Sequence, residues 1–405
     1  MAAGFDFASG NRAKLAALPR YAVGQARGAL SKRDPRSWVV GSDFGLGDGA
    51  WAFYQAAKLA DPGLRVTWLV STAEQAEDAA RRGVQWLPRD SRDGYAATLK
   101  AGVVAVTHGF GDANRFAQRG AKVVQLWHGA PLKKLHLDSP AVLRPPVPGS
   151  GPLVRGMYRV GLRAISLFPV CGEPAVAPIE SAFGLPAGRV LPLGEPRTDI
   201  LFGDPGELAA ASRELWREAI PDLGERRLVL HAPTWRDGQP DPVIPSVSDL
   251  VAIEAWCAEN DALLVIRPHP KAVGDYPRST PLVRVLSSRE QPYPMPLLWG
   301  VDALVTDYSS ILVDFAVTGR PILALAPDLA EYSRSRGLYF GYDELFAAPR
   351  ATTWPELLEQ LGGLADPAFA GRLGAHSAAL RDRFQAHQDG QNAARVVAHI
   401  LHGLS

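Results

Sequence analysis

The sequence predicts an α/β protein of two doubly wound, Rossmann-like domains facing a cleft, and three observations carry that prediction. Short apolar runs alternate with longer helical stretches from Ser37 onward, the signature of parallel βαβ units. The runs form two sets, one ending near Leu201 and the other beginning near Arg227. Polar and glycine-bearing clusters follow the apolar residues of the runs, which puts them beyond the carboxyl ends of the strands, where open α/β sheets bind ligands. A chain of 405 residues, 47% of them hydrophobic, has core enough for two domains.

Each element follows in order. Residues 1–36 form a basic segment, in which residues 12–36 carry Arg12, Lys14, Arg20, Arg27, Lys32, Arg33 and Arg36 against only Asp34, interleaved with Leu15, Leu18, Tyr21, Val23 and Leu30. Such a stretch reads either as a basic interfacial helix on a membrane or as a solvated, poorly ordered segment. Residues 37–202 hold the first set of strands, SWVVGS, LRVTWLV, GVVAVT and AKVVQLWHG. Within them, residues 140–163 carry Arg144, Arg155, Arg159 and Arg163 among prolines and glycines without an acid, a composition that predicts a mobile loop. A linker and helix lead to residues 203–380 and the second set, RLVLHAPTW, ALLVIRPHP, ALVTDYSS and PILALAP. Residues 381–405 end in ARVVAHILHGL, an apolar-spaced helix that by fold analogy packs back on the first domain.

Composition excludes several classes. A formal net charge of +1 gives no general reason to bind nucleic acid, so any anionic partner must meet local clusters. Cys171 and Cys257 lie far apart, without the spacing of a zinc ribbon or a disulfide framework, and a reducing cytoplasm is the default. Neither a secretory signal nor a spanning helix is expected, since no run of 18 apolar residues occurs. GSDFGLGDGA enters a helix as a phosphate turn does, yet it misses the GxGxxG register, and no GxxxxGK[ST] occurs.

Three motifs bear chemistry. VVQLWHGAPLKKL places His128 at a strand tip, followed by Gly129 for a tight turn and by Lys133 and Lys134; a histidine there serves either as a general base near neutral pH or as a structural hydrogen-bonder. LLVIRPHPK ends another strand with Arg267, His269 and Lys271 at alternate positions, which an extended chain would turn to one side. Arginine meets phosphate oxygens bidentately and imidazole donates to another, so a diphosphate is the natural partner. In ALVTDYSSILVDFA, Ser309 and Ser310 occupy the turn before a helix, either as an anion site or as ordinary caps. Asp307 and Asp314 lack a third carboxylate for a metal and are read as structural or hydroxyl-orienting.

Together these blocks resemble those of the CDP-glycerol glycerophosphotransferase family, whose primases and polymerases build teichoic-acid and related polyol-phosphate polymers. The resemblance rests on GSDFG, QLWHGAPLKKL, GEPRTDILF (residues 194–202), HAPTWRD (231–237), IRPHP, VTDYSSILVDFA with GRPIL, and FQAHQDGQNAARVV (384–397), seven blocks in order over roughly residues 37–400. It implies a B-type glycosyltransferase fold with an acceptor-side first domain and a donor nucleotide-binding second domain. It also implies CDP-glycerol or a close CDP-polyol as donor, a lipid-linked polyol-phosphate acceptor, no obligatory metal or other cofactor, and peripheral attachment to the anionic cytoplasmic face of the membrane. Carried over by residue, His128 matches the family's proposed base and His269 its second essential histidine. Arg267, Ser309 and Ser310 match the donor-phosphate site, with Arg236 and Thr234 of HAPTWRD beside it and Gly129, Lys133, Asp307 and Asp314 in support. Two departures concern the acceptor side: LGDGAWAFYQ stands where an Asp-Asn-x-Lys-like run is common, and Ala130 where threonine often follows His-Gly.

The implied reaction is attack of an acceptor hydroxyl on the glycerol-bearing phosphorus with expulsion of CMP. A nucleotide-sugar glycosyltransferase of the same fold, or a non-catalytic polymer-binding scaffold, would share these motifs. Glycerol against ribitol, and primase against polymerase, stay open.

Overall fold

The computed structural model describes residues 7–404 apart from 237, 289 and 292; the start of the basic segment and Asp237 of HAPTWRD lie outside the described residues. The chain divides into two compact units. The first comprises Phe7–Ala130, Leu135–Asp199 and the chain from Gln385 onward; the second comprises Pro131–Lys134 and Ile200–Phe384. The boundaries thus fall at 199/200 and 384/385 rather than at 202/203 and 380/381, and the helices before residue 37 belong to the first unit.

The first unit is built on seven parallel strands, β1 (Asp34–Gly41), β2 (Arg65–Val70), β3 (Trp86–Pro88), β4 (Ala101–Val106), β5 (Lys122–Gln125), β6 (Ile165–Pro169) and β7 (Val190–Leu191), in the order β3-β2-β1-β4-β5-β6-β7. Every residue of β4 is buried, as expected of a parallel sheet covered on both faces. Alternation along β1 sends Trp38 and Val40 into one core with Phe53 and Trp68, and Val39 into the other with Leu69, Val104 and Val123.

The C-terminal helix Asn392–His402 adds Val396, Val397 and Ile400 to the first of these cores, each worth about 1.5–3 kcal/mol when fully buried. Its start is fixed by the GEPRTD block. The Asn392 and Ala393 N–H groups donate to the two Asp199 carboxylate oxygens at 2.7 and 2.8 Å. Gly194, at φ 83°, lies so close that a Cβ there would sit 2.0 Å from Asn392 Oδ1. Two of the seven motif blocks therefore lock to each other rather than line a site.

The basic segment is likewise integrated. Its helices Phe7–Ala16 and Leu18–Leu30 seat Gly24 and Gly28 against the Phe116 and Arg119 carbonyls, and Arg33 donates to the Thr98 and Ala117 carbonyls at 2.6 and 2.9 Å. The stretch expected to be a mobile loop contains a helix, Gly151–Leu162. Val154, Tyr158 and Leu162, at i, i+4 and i+8, give it a buried face that its glycines and proline conceal in composition. Tyr158 Oη donates to Asn11 Oδ1 at 3.1 Å and accepts from Lys14 Nζ at 2.8 Å, which ties the two basic stretches together.

The second unit carries five parallel strands, β8 (Arg227–His231), β9 (Ala262–Ile266), β10 (Val283–Val285), β11 (Ala303–Thr306) and β12 (Ile322–Ala324), in the order β10-β9-β8-β11-β12. Val229, Leu264, Ile266, Val305 and Trp354 share its core. In each unit the first strand has its sequence successor on one side and a later strand on the other, so the order reverses between β1 and β4 and between β8 and β11. Doubly wound sheets bind their ligands beyond the carboxyl ends at such reversals.

Candidate active site

In the first unit the chain beyond β5 bends sharply to present His128. Trp127 adopts φ 61° and Gly129 φ 141°. Left-handed backbone at a bulky residue costs of order 1–3 kcal/mol; here burial of the indole against Phe168 and Phe183, with centroids at 5.8 and 5.3 Å, holds it. His128 Nδ1 lies 3.2 Å from the Thr107 carbonyl oxygen. A carbonyl only accepts, so Nδ1 carries the proton and Nε2 is the basic nitrogen.

The end of β4 surrounds this ring. His108 stacks on His128 with centroids 4.5 Å apart and planes 13° from parallel, and Phe44 of GSDFG meets His108 edge-on at 4.3 Å. Asp112 Oδ2 accepts from the Thr107 N–H at 2.8 Å, the Thr107 hydroxyl at 3.1 Å and the His108 N–H at 2.7 Å. Burial pushes the Asp112 carboxyl up to about 6 despite those donors. Gly41 permits the approach of β1, since a Cβ there would lie 2.0 Å from the Asp112 carbonyl oxygen. The GSDFG turn thus packs on a histidine pair and is not a phosphate loop in register.

The second unit gathers cations beyond β9. Arg267 is buried enough that its pKa falls to about 10, and Nη1 is buried with no hydrogen-bond partner among the described residues. His269 is driven down to about 3 by burial and then by Lys133, Lys271 and Arg267, so it is neutral at pH 7. Its Nδ1 accepts from the Lys271 N–H at 3.1 Å, leaving Nε2–H as the donor. A turn groups these residues, rather than strand alternation, because β9 ends at Ile266. Trp235 supplies the platform: His269 stacks on it at 5.8 Å, while Lys271 Nζ and the Arg336 guanidinium lie 5.4 and 6.0 Å from its centroid. Lys133 belongs to this unit through a bridge to Leu338, whereas His128 and Gly129 belong to the other.

Between β8 and β11 lies a different cluster, and it corrects the expected role of Arg236. That guanidinium donates to Asp328 Oδ2 and Oδ1 at 2.7 and 2.9 Å and to Asp307 Oδ2 at 3.0 Å. It also lies 5.1 and 4.9 Å from the Tyr308 and Tyr332 centroids. Burial opposes its charge, yet Asp328 and Asp307 raise its pKa; its donors are committed to protein carboxylates rather than to a phosphate. The Thr234 N–H donates to Asp307 Oδ1 at 2.9 Å and its hydroxyl is buried, so Thr234 and Asp307 are parts of this brace. Asp314 is buried in the short helix Ile311–Phe315. Ser309 and Ser310, half-buried, open that helix by accepting from Leu312 and Val313 through their carbonyls at 3.3 and 3.0 Å. Ser310 makes no side-chain cap. Among the described residues no group of three or more His, Cys, Asp or Glu could hold a metal ion.

Sequence reasoning passed over three members of these clusters. His108 directly follows the GVVAVT run, and Asp112 four positions on was the available signal. Asp328 lies 92 residues from Arg236, and nothing local announces it.

Two doubly wound parallel units, one presenting a histidine pair and the other an arginine-histidine cluster at the strand ends, define the B-type glycosyltransferase class of fold. The chain belongs to the CDP-Glycerol:Poly(glycerophosphate) glycerophosphotransferase family, whose model matches residues 42–402. Among solved structures it resembles the wall teichoic acid polymerase TagF, in a variant with CDPG, at 20% identity and TM-score 0.77 over 98% of this chain and 97% of that one. A teichoic acid glycerol-phosphate transferase of Staphylococcus aureus is 28% identical over 69% of this chain and 70% of its own length. The S. aureus ribitol-phosphate polymerase TarL is 24% identical over 70% of this chain. The chain spans about half of TarL, 48% of its length.

Proposed function

We propose that the chain transfers glycerol phosphate, or a related polyol phosphate, from CDP-glycerol to a lipid-linked or growing teichoic-acid-like polymer and releases CMP. The observation that carries this reading is the cluster beyond β9. A half-buried arginine whose Nη1 is buried without a hydrogen-bond partner among the described residues, a neutral histidine with its Nε2–H as donor, and two neighbouring lysines call for an anion with several oxygens. A diphosphate meets that demand, and the family and the likeness to TagF with CDPG favour the CDP-linked one.

In the proposed step an acceptor hydroxyl oxygen bonds to the glycerol-bearing phosphorus, its proton passes to His128 Nε2, and the bond to the CMP oxygen breaks with its electron pair. Arg267, His269 Nε2–H and Lys271 offset the charge that grows on the departing phosphate, so the reaction is proposed to proceed without a resident metal. Ser309 and Ser310, in the same unit, are proposed to offer their hydroxyls to the donor. The decisive experiment follows CMP release from CDP-glycerol, CDP-ribitol and a UDP-sugar, with a lipid-linked glycerol-phosphate acceptor and EDTA. The expected result is acceptor-dependent release from a CDP-polyol that falls on the order of 10²–10⁴-fold in His128→Ala. Release from the sugar nucleotide alone, or a loss below about tenfold in both His128→Ala and His269→Ala, would falsify the assignment.

The proposed site of action is the cytoplasmic face of the membrane, with the protein peripheral and facing an anionic surface. No helix among the described residues is long and apolar enough to cross a membrane. Support comes from the joined basic stretches, where Val23, Leu30, Leu153 and Val160 are 55%, 89%, 55% and 73% exposed beside Arg20, Arg27, Arg155 and Arg159.

A further inference from the structure

The end of β4 holds a second imidazole and a buried carboxyl that the proposed transfer step does not use. Resting on the assignment of His128 as base, we propose that His108 and Asp112 are its positioning residues. Asp112 ties down the Thr107–His108 backbone, the Thr107 carbonyl keeps the proton on His128 Nδ1, and the stacked His108 ring sets the orientation and pH range of His128 Nε2.

The geometry supports each link. Three hydrogen bonds of 2.7–3.1 Å converge on Asp112 Oδ2, two from Thr107 and one from the His108 N–H. Thr107 is the residue whose carbonyl meets His128 at 3.2 Å, so a shift of Asp112 is transmitted through one residue to the tautomer of the base. Orientation of a histidine by a carbonyl or carboxylate on its second nitrogen is the general way a protein fixes which nitrogen reacts. The Thr107 hydroxyl also reaches His108 Nδ1 at 2.8 Å, and Asp112 Oδ2 lies 3.9 Å from the same nitrogen.

Charge coupling follows from the stack. Two parallel imidazoles 4.5 Å apart resist holding a proton each. Among the described residues, Asp112 from the loop after β4 lies against the pair, and Asp43 after β1, held at 3.5 Å by Arg89 after β3, acts on Asp112 in turn. Asp112 favours a cation on either ring, whereas each ring disfavours one on the other. His128 therefore works at a pH fixed by the balance of the two, with Phe44 and Trp127 closing the edges.

The test is histidine side-chain NMR on the full chain, with the His128 signal assigned by its loss in His128→Asn. His108→Phe keeps a ring to stack and removes the competing charge, so the His128 midpoint should rise by on the order of one pH unit. Asp112→Asn removes the anion and should lower it. Turnover should fall roughly ten- to a hundredfold in each, with KM nearly unchanged. Mere loosening would move both midpoints the same way, toward a solvated imidazole, and that result, or no movement, overturns the proposal. If Asp112→Asn does not fold, the His108→Phe midpoint decides alone. Full turnover in His128→Asn would remove the base assignment and this inference with it. An inactive His128→Asn with unmoved midpoints would remove the inference only.

Discussion

Arg236 and Arg267 stand beyond the carboxyl ends of β8 and β9, neighbouring strands of one sheet, and both lose solvent on folding. Their surroundings differ in everything else. Two aspartates and two tyrosine rings enclose Arg236, and its charge is spent inside the protein. Arg267 has a buried nitrogen without a hydrogen-bond partner among the described residues, and burial pulls its pKa down to about 10. The difference teaches that an arginine at a strand end is available to a ligand only where neighbouring carboxylates do not already take up its charge.

Substitution at the two positions should separate stability from function. Arg236→Gln leaves the Asp307 and Asp328 carboxylates without the cation they share, so chemical denaturation should show a loss of about 3–5 kcal/mol. Arg267→Gln should lower turnover roughly 10²–10³-fold while leaving the denaturation midpoint unchanged or higher. A stable Arg236→Gln, or an Arg267→Gln that unfolds but retains turnover per folded molecule, would reverse the two roles.

His269 sharpens the contrast, because it shares the unanswered charge of Arg267. Its folded pKa, about 3, lies below that of an unfolded histidine, about 6.5. As pH falls through about 6.5 the unfolded chain gains a proton that the folded one refuses, so stability is lost on acidification, by at most about 1.4 kcal/mol per pH unit down to about 3. Denaturation of His269→Gln should show a shallower acid-side decline, and an unchanged slope would mean that His269 titrates normally. The smallest effect belongs to arginines that are neither buried nor paired. Arg159→Gln, on an exposed helix face, should weaken binding to phosphatidylglycerol vesicles about fivefold. Deleting the segment before Ser37 would be a poor substitute, since Gly24, Gly28 and Arg33 are packed into the first unit.

Much of the fold was legible because interior strands of a parallel sheet are continuous apolar runs. All eight runs read in the sequence are strands, and β3, β6, β7 and β10 were missed. Three of these are two or three residues long, and β6, ISLFP, ends in proline. Glycines at 151, 156 and 161 masked a helix whose buried face was written in Val154, Tyr158 and Leu162. The grouping of Arg267 with His269 was legible because the two are near neighbours in the chain. The role of Arg236 was not, because Asp307 and Asp328 lie 71 and 92 residues away, and a charge cannot be judged until its partner is known.

The lock between Asp199 and the helix Asn392–His402 has a consequence for the order in which the molecule is made. Trp38, Phe53 and Trp68 emerge early from the ribosome, yet the Val396, Val397 and Ile400 that cover them are encoded after the whole of Ile200–Phe384. At about 5–20 residues per second, that interval lasts roughly ten to forty seconds. The later unit, almost continuous in sequence, can close on itself first, while the earlier one waits with an apolar face open and must be shielded from other nascent chains.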